Sequence, residues 1–301
     1  MKTKPRKKKK FNNSIIFLAP YLLAFTAFLI LPVLIGILLS FTYFDLIQFP
    51  KFNGFDNYIS LISTDDVFRQ NVIPNTIKFS VIVGPVGYLL GFFLAWLLAQ
   101  IPKKPRTVLA LIIYSPSLTA GISMAVMWRV IFSGDLNGYL NIFLINLGFI
   151  DQPISWLTDP KYLLNIMIIV SVWSSMGVGF LAMLAGVLNT DKSIYEASYI
   201  DGVSTKFQEI FYITIPQMKP QMLFGAVMSI VSTFNAGQIG IELSGGGYVT
   251  PMNSGQLIVN HINDYGFGRF EMGYAAAISV LLLVMVYFLG QACFKLFGDK
   301  Q

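Results

Sequence analysis

Two polar stripes stand out in an otherwise apolar chain. Ser171, Ser174 and Ser175 recur at i, i+3 and i+4 within the stretch 163–189, so a helix carries all three on one face, with Trp173 beside them. Ser232, Asn235 and Gln238 recur at three-residue steps within 218–240. Hydroxyls and amides are uncharged groups that both donate and accept, and with an aromatic nearby they suit an uncharged, hydroxyl-rich ligand. The competing reading is hydrogen bonding between helices, ~0.6 to 2 kcal/mol per contact. It holds most strongly for the serines, while Asn235 and Gln238 favour the ligand. Covalent chemistry has no comparable support, since no nucleophile and base pair is visible in these stretches. The single Cys293 excludes an internal disulfide, and a lone His261 without a Cys partner makes a structural zinc site implausible. There is no Gly-x-x-x-x-Gly-Lys-Ser/Thr phosphate loop either.

Those stripes need helices to carry them, and the composition points to helices in a membrane. Of the 301 residues, 55% are hydrophobic and 12% charged, where a soluble domain has about a quarter charged. The net charge of +6 is not a nucleic-acid signature, because seven of the 21 basic residues fall in the opening MKTKPRKKKK. That cluster reads as a topology signal beside anionic membrane lipid. Phe11 to Phe44 then carries no Asp, Glu, Lys, Arg or His, too long a run for a secretory signal, whose apolar region has about 7 to 15 residues. With about 20 apolar residues needed to cross the hydrocarbon core, spans are expected at about 14–41, 74–100, 107–133, 163–189, 218–240 and 272–297. Pro20 and Pro32 should bend the first. The fold class is an all-α integral membrane protein: a basic tail, 1–13, followed by one six-span domain, 14–297. No carboxylate is expected deep in any span, which argues against a proton-coupled carrier.

Orientation follows from Lys and Arg. The N-terminal tail, Lys103, Lys104, Arg106, Lys192, Lys206, Lys295 and Lys300 fall on one side, against Lys51, Arg69, Lys161 and Arg269 on the other. Both termini and the 190–217 loop are therefore expected to be cytoplasmic. That loop carries two helix-start signatures in tandem. Ser193 and Glu196 have the spacing of a capping box, Gly202 can supply a left-handed terminator, and Thr205 with Gln208 offers a second box before Pro216 stops or kinks the chain. The prediction is a short helix, a sharp Gly turn and a second helix.

At Glu196, Ala197, Ser198, Asp201 and Gly202, followed by Ile213, Ile215 and Pro216, the chain resembles the EAA motif of the membrane subunits of ABC importers. More narrowly it is similar to the sugar-type permeases of the maltose and glycerol-phosphate importer group. The stretch FPKFNGFDNYISL also resembles the first outer loop of that family. The resemblance implies a permease whose loop 193–216 holds cytoplasmic coupling helices, with Glu196, Ala197, Ser198, Asp201, Gly202 and Pro216 docking into an ATPase. It implies a heterodimer with a second, homologous permease, two cytoplasmic ATPase subunits and an extracytoplasmic sugar-binding protein, in a prokaryotic cell membrane. ATP and Mg would bind the ATPase subunits, leaving no cofactor in this chain. Sugar contacts would lie in the spans that carry Trp173, Ser174, Ser175, Ser232, Asn235 and Gln238. The expected function is ATP-driven import of a carbohydrate, an oligosaccharide above all. The alternatives are an ABC importer for another solute, or an ATP-independent secondary carrier or channel.

Overall fold

The computed structural model of the protein describes residues 13–119 and 121–297. The basic tail expected at 1–13 therefore lies, but for Asn13, outside the described residues, as does Lys300. Four helices are long and apolar enough to cross a membrane alone: Phe17–Leu39, Phe68–Ala99, Leu163–Asn189 and Met272–Leu296. Two bent pairs, Lys103–Leu118 with Ser123–Ile131 and Lys219–Asn235 with Gln238–Ser244, bring the total to six if each pair is one span. In hydrocarbon only a helix satisfies its own backbone groups within one segment, so long apolar runs take this form.

Proline shapes these helices in a repeated way. Widened π-helical turns at Thr26–Ile30, Phe68–Val72 and Ile210–Thr214 each run directly into a helix with Pro32, Pro74 or Pro216 near its start. Proline has no N–H for the carbonyl four residues back, and the π turn absorbs that missing bond without ending the helix. Pro20 sits within the first helix as well.

Three expected spans are not continuous. The one predicted at 107–133 is bent by 96°, with Thr119 extended (φ −72°, ψ 128°) at the end of its first half. The one predicted at 163–189 is interrupted at 175–177, where the N–H of Gly177 bonds to the Ser175 carbonyl at 2.8 Å. The one predicted at 218–240 bends by 47° after Asn235 and runs on to Ser244. At that bend a Cβ on Gly237 would lie 2.5 Å from Val259 Cβ, so the close crossing of the Ile258–Asn263 helix demands glycine there.

The second, fourth and fifth spans pack on one another at the centre of the bundle. One apolar cluster, with Phe79, Val83, Leu163, Met167 and Leu243, fills the end away from the 192–217 loop. A second, with Phe92, Ala95, Phe180, Met183, Met218 and Met222, fills the end beside the loop. The first span packs on the sixth, and none of its apolar window is buried within the chain. Beyond it a two-residue antiparallel pair joins Thr42–Tyr43 to Lys51–Phe52.

Candidate functional site

The broken helices lie between the two apolar clusters and open a cavity of about 250 Å³, lined by Ser171, Ser174, Ser175, Ser232, Asn235 and Gln238 among others. Broken helices at membrane depth leave backbone groups without helical partners, and they are tolerated where they are buried in protein or line a watery space. A second cavity of about 380 Å³ shares Met124, Ser174, Ser175 and Ser232 with the first and extends toward the loop end past Gly87, Tyr88 and Ser229. Ser174, Ser175 and Ser232 therefore form a common rim between the two cavities, while Ser171, Asn235 and Gln238 line the first alone.

The hydrogen bonds of these residues separate the polar groups into two kinds. Ser174 donates to the Val170 and Ser171 carbonyls at 3.0 and 3.2 Å, Ser175 to Val172 at 2.7 Å, and Ser232 to Ser229 at 3.0 Å. These three serine protons are thus spent on their own helices, whereas the buried Ser171 Oγ has no hydrogen-bond partner among the described residues. Asn235 and Gln238 are exposed, and among the described residues their side chains make no hydrogen bond. Trp173 lines neither cavity; it is 41% exposed and packs edge-on against Trp128 at 5.3 Å. Two residues on from Ser171, it stands about 200° around the helix, which carries its indole away from the serine face.

One cavity residue was missed by the sequence reading. Glu242 lines the first cavity, four residues beyond Gln238 and so on the same helical face. Glu242 lies past the expected end of the fifth span at 240, in the last turn of the helix that runs to Ser244 and not deep in the span. Its i+4 spacing from Gln238 is the signal that would have found it.

The loop is a locked helix pair. Its first helix, Lys192–Ile200, is capped by Asp191, whose carboxylate accepts from the Ser193 N–H at 2.9 Å. This replaces the predicted Ser193–Glu196 box, since Asp191 occupies the N-cap position and Ser193 is already helical. Backbone bonds of this kind hold the Asp191 carboxyl below the usual range. At the other end Val203 N–H bonds to the Ser198 carbonyl at 3.0 Å and Gly202 N–H to Tyr199 at 3.3 Å. That is the Schellman pattern, and Gly202 adopts the positive φ it needs, +97°. The Thr205–Gln208 capping box is present at the second helix, Lys206–Glu209.

Glu209, also unforeseen, pins the two helices together. It is 4% exposed and accepts from Tyr199 Oη at 2.7 Å and Lys206 Nζ at 2.6 Å. Its hydrogen bond raises the Lys206 ammonium above its ordinary pKa. Ser198 is buried, whereas Glu196, Ala197, Asp201, Gly202 and Pro216 are exposed. So are Ile200 (87%), Phe207 (75%) and Tyr212 (73%). A rigid frame thus presents large apolar side chains outward.

The opposite end carries a different clamp. Asp65, just before the second span, accepts from Tyr274 Oη at 2.9 Å and lies 2.8 Å from His261 Nε2, and His261 is 1% exposed. Burial pushes the Asp65 carboxyl up, but His261, the Phe68 N–H and Tyr274 outweigh it and bring the pKa to about 2. Among the described residues no group of three or more His, Cys, Asp and Glu side chains is placed to hold a metal ion.

Comparison with known proteins places this architecture. Residues 87–295 match the family described as binding-protein-dependent transport system inner membrane component. The chain is 33% identical to the probable ABC transporter permease protein YesP of Bacillus subtilis over 93% of its length and 88% of that protein's. It is 30% identical to the arabinooligosaccharides transport system permease protein AraP of the same organism, over 94% of this chain and 88% of that one. In fold it is similar to a chain of a bacterial ABC transporter involved in the import of the acidic polysaccharide alginate, with a TM-score of 0.77, 22% identity and 94% of each chain covered.

Proposed function

This chain belongs to the family of binding-protein-dependent transport inner membrane components, and on that premise we propose that it is the permease subunit of an ATP-driven importer for a carbohydrate, foremost an oligosaccharide. It forms half of the translocation path with a second, homologous permease, receives sugar from an extracytoplasmic binding protein, and couples to two ATPase subunits through loop 193–216. Both termini and that loop face the cytoplasm, as the Lys and Arg distribution favours. ATP and Mg belong to the ATPase subunits, and this chain carries out no covalent step.

The locked loop is the observation that carries the reading. A flexible loop would absorb a push from a partner, whereas two helices pinned through Glu209 transmit it. The exposed Ile200, Phe207 and Tyr212 supply an apolar surface of the kind that marks a protein contact. The carbohydrate part rests on the uncharged amides of Asn235 and Gln238, which have no partners among the described residues, and on the arabinooligosaccharide relative. Their exposed face also leaves the cavity open on one side, which a second permease would close.

Gly202 gives the test. A Cβ there would meet nothing within 4 Å in this chain, yet φ of +97° strains any other residue. Gly202→Asp should leave the protein in the membrane with its permease partner while co-purification of the ATPase is lost and transport falls to background. A Gly202→Asp protein that still brings down an ATPase and transports normally would refute the coupling role. Wild-type protein that purifies alone and transports in vesicles without ATP would establish the secondary-carrier alternative instead.

A further inference from the structure

Glu242 is the only ionisable side chain among the residues lining the 250 Å³ cavity. Among the described residues it forms no hydrogen bond or ion pair. A basic side chain, Arg129, lines a neighbouring cavity of about 530 Å³, and the two cavities meet at Leu243. Arg129, however, lies against Gly245, with Nη2 3.0 Å from where a Cβ would stand, and it too forms no ion pair. The cavity therefore presents a free carboxylate one turn beyond Gln238, in a setting otherwise made of hydroxyls, amides and apolar groups.

We propose that Glu242 is a specificity-determining residue, which admits saccharides built from neutral sugars and rejects those built from uronic acids. The proposal rests on the carbohydrate reading above and deepens it. Vicinal sugar hydroxyls donate to a carboxylate in charge-assisted hydrogen bonds, stronger than those to the neighbouring amides. A second carboxylate brought beside it must be repelled or take up a proton, and like charges placed together act against wrong partners. Serines, Asn235 and Gln238 cannot make that distinction, because they donate and accept alike. Nor can the fold make it. A chain of an importer of an acidic polysaccharide shares the fold with a TM-score of 0.77, so the choice of charge belongs to side chains.

The test uses the assembled permease complex in nanodiscs, titrated calorimetrically with three matched pairs of trisaccharides: galactose and galacturonate, glucose and glucuronate, mannose and mannuronate. The wild type should bind the neutral member of at least one pair more than about tenfold tighter than its acidic counterpart. Glu242→Gln, which removes the charge and keeps the shape, should close that gap to within about threefold, chiefly by tightening the acidic member. Glu242→Lys should reverse the preference. A ratio unchanged in Glu242→Gln, or a wild type that prefers the uronic member, overturns the proposal while leaving the carbohydrate reading intact. Wild-type protein that binds none of the six overturns the carbohydrate reading and the proposal with it.

Discussion

Three carboxylates mark three levels of this molecule, and the two at its ends are held while the one between them is not. Glu209 in the loop and Asp65 at the far end each accept from a tyrosine and face a basic side chain. Glu242 in the cavity has neither kind of partner among the described residues. Buried or half-buried charge is tolerated when its lone pairs are filled, and the filled ones act as locks. A carboxylate left open in a lined cavity is available to something that is not part of the chain. On the proposed function, the held ends suit transmission of force and the open middle suits binding of the saccharide.

The largest effect is expected where the lock is most buried. Asp65→Ala leaves His261 and Tyr274 without their acceptor and should lower stability by about 3 to 5 kcal/mol, read by thermal unfolding in detergent. The same group gives a pH dependence. Its pKa in the folded protein, about 2, lies below the ordinary value of 3.8. Ionised Asp65 therefore stabilises the fold fully above about pH 4, by roughly 2 kcal/mol, and that contribution drains away as pH falls through about 2. An acid-unfolding profile that is the same in wild type and Asp65→Ala over that range would remove Asp65 from the account.

Next in size is the loop lock. Glu209→Ala removes the acceptor for Tyr199 and Lys206, a loss of roughly 1.5 to 3 kcal/mol locally for a charged hydrogen bond. Because the loop lies outside the bundle, global stability should change less than transport, which should drop severalfold while the protein remains in the membrane. Equal losses in both would show that the loop is part of the folding core and not a separate transmitting frame.

Within the cavity the contrast is between spent and unspent hydrogen bonds. Asn235→Ala removes an amide with no partner among the described residues and should weaken saccharide binding by about tenfold, the equivalent of one net hydrogen bond. Ser174→Ala removes a hydroxyl whose proton already serves Val170 and Ser171, and binding should change by less than about twofold. Equal effects would mean that the serine turns its proton toward the ligand, and the division of the cavity's polar groups into two kinds would fail.

These distinctions were unevenly readable in the sequence. Thr205–Gln208 and Gly202 were legible because capping and left-handed termination depend on residues three or four apart, and the chain writes such signals locally. The six apolar stretches were legible from length and hydropathy. Their breaks were not, since Ser175, Gly177, Ala236 and Gly237 are small residues that barely alter an averaged hydropathy. Gly237 is dictated instead by Val259, which approaches from another element. The extra turn that carries Glu242 into the cavity lay past the expected end at 240, where Leu243, 1% exposed, packs into the first apolar cluster and the helix runs to Ser244. The Asp65–His261 contact joins residues 196 apart in sequence, and no local pattern announces it.

The loop's first cap is where two local readings competed, and it gives the smallest and sharpest test. Asp191 and Ser193 are both cap-forming types, and Ser193 gains credibility from Glu196 three residues later. The structure settles on Asp191, in extended conformation (φ −63°, ψ 128°), accepting from the Ser193 N–H. An ionised carboxylate at this position also faces the positive end of the helix dipole, which a serine hydroxyl exploits less. Asp191→Ala should therefore loosen the start of the loop's first helix, seen as faster amide hydrogen exchange in the first turn, at Ser193 above all. Ser193→Ala should change exchange less, because the Ser193 N–H remains to make the capping bond to Asp191. If Ser193→Ala opens the turn as much as Asp191→Ala, the helix begins two residues later in solution, Glu196 recovers the capping role its spacing suggests, and less of its carboxylate is left to orient the loop toward a partner.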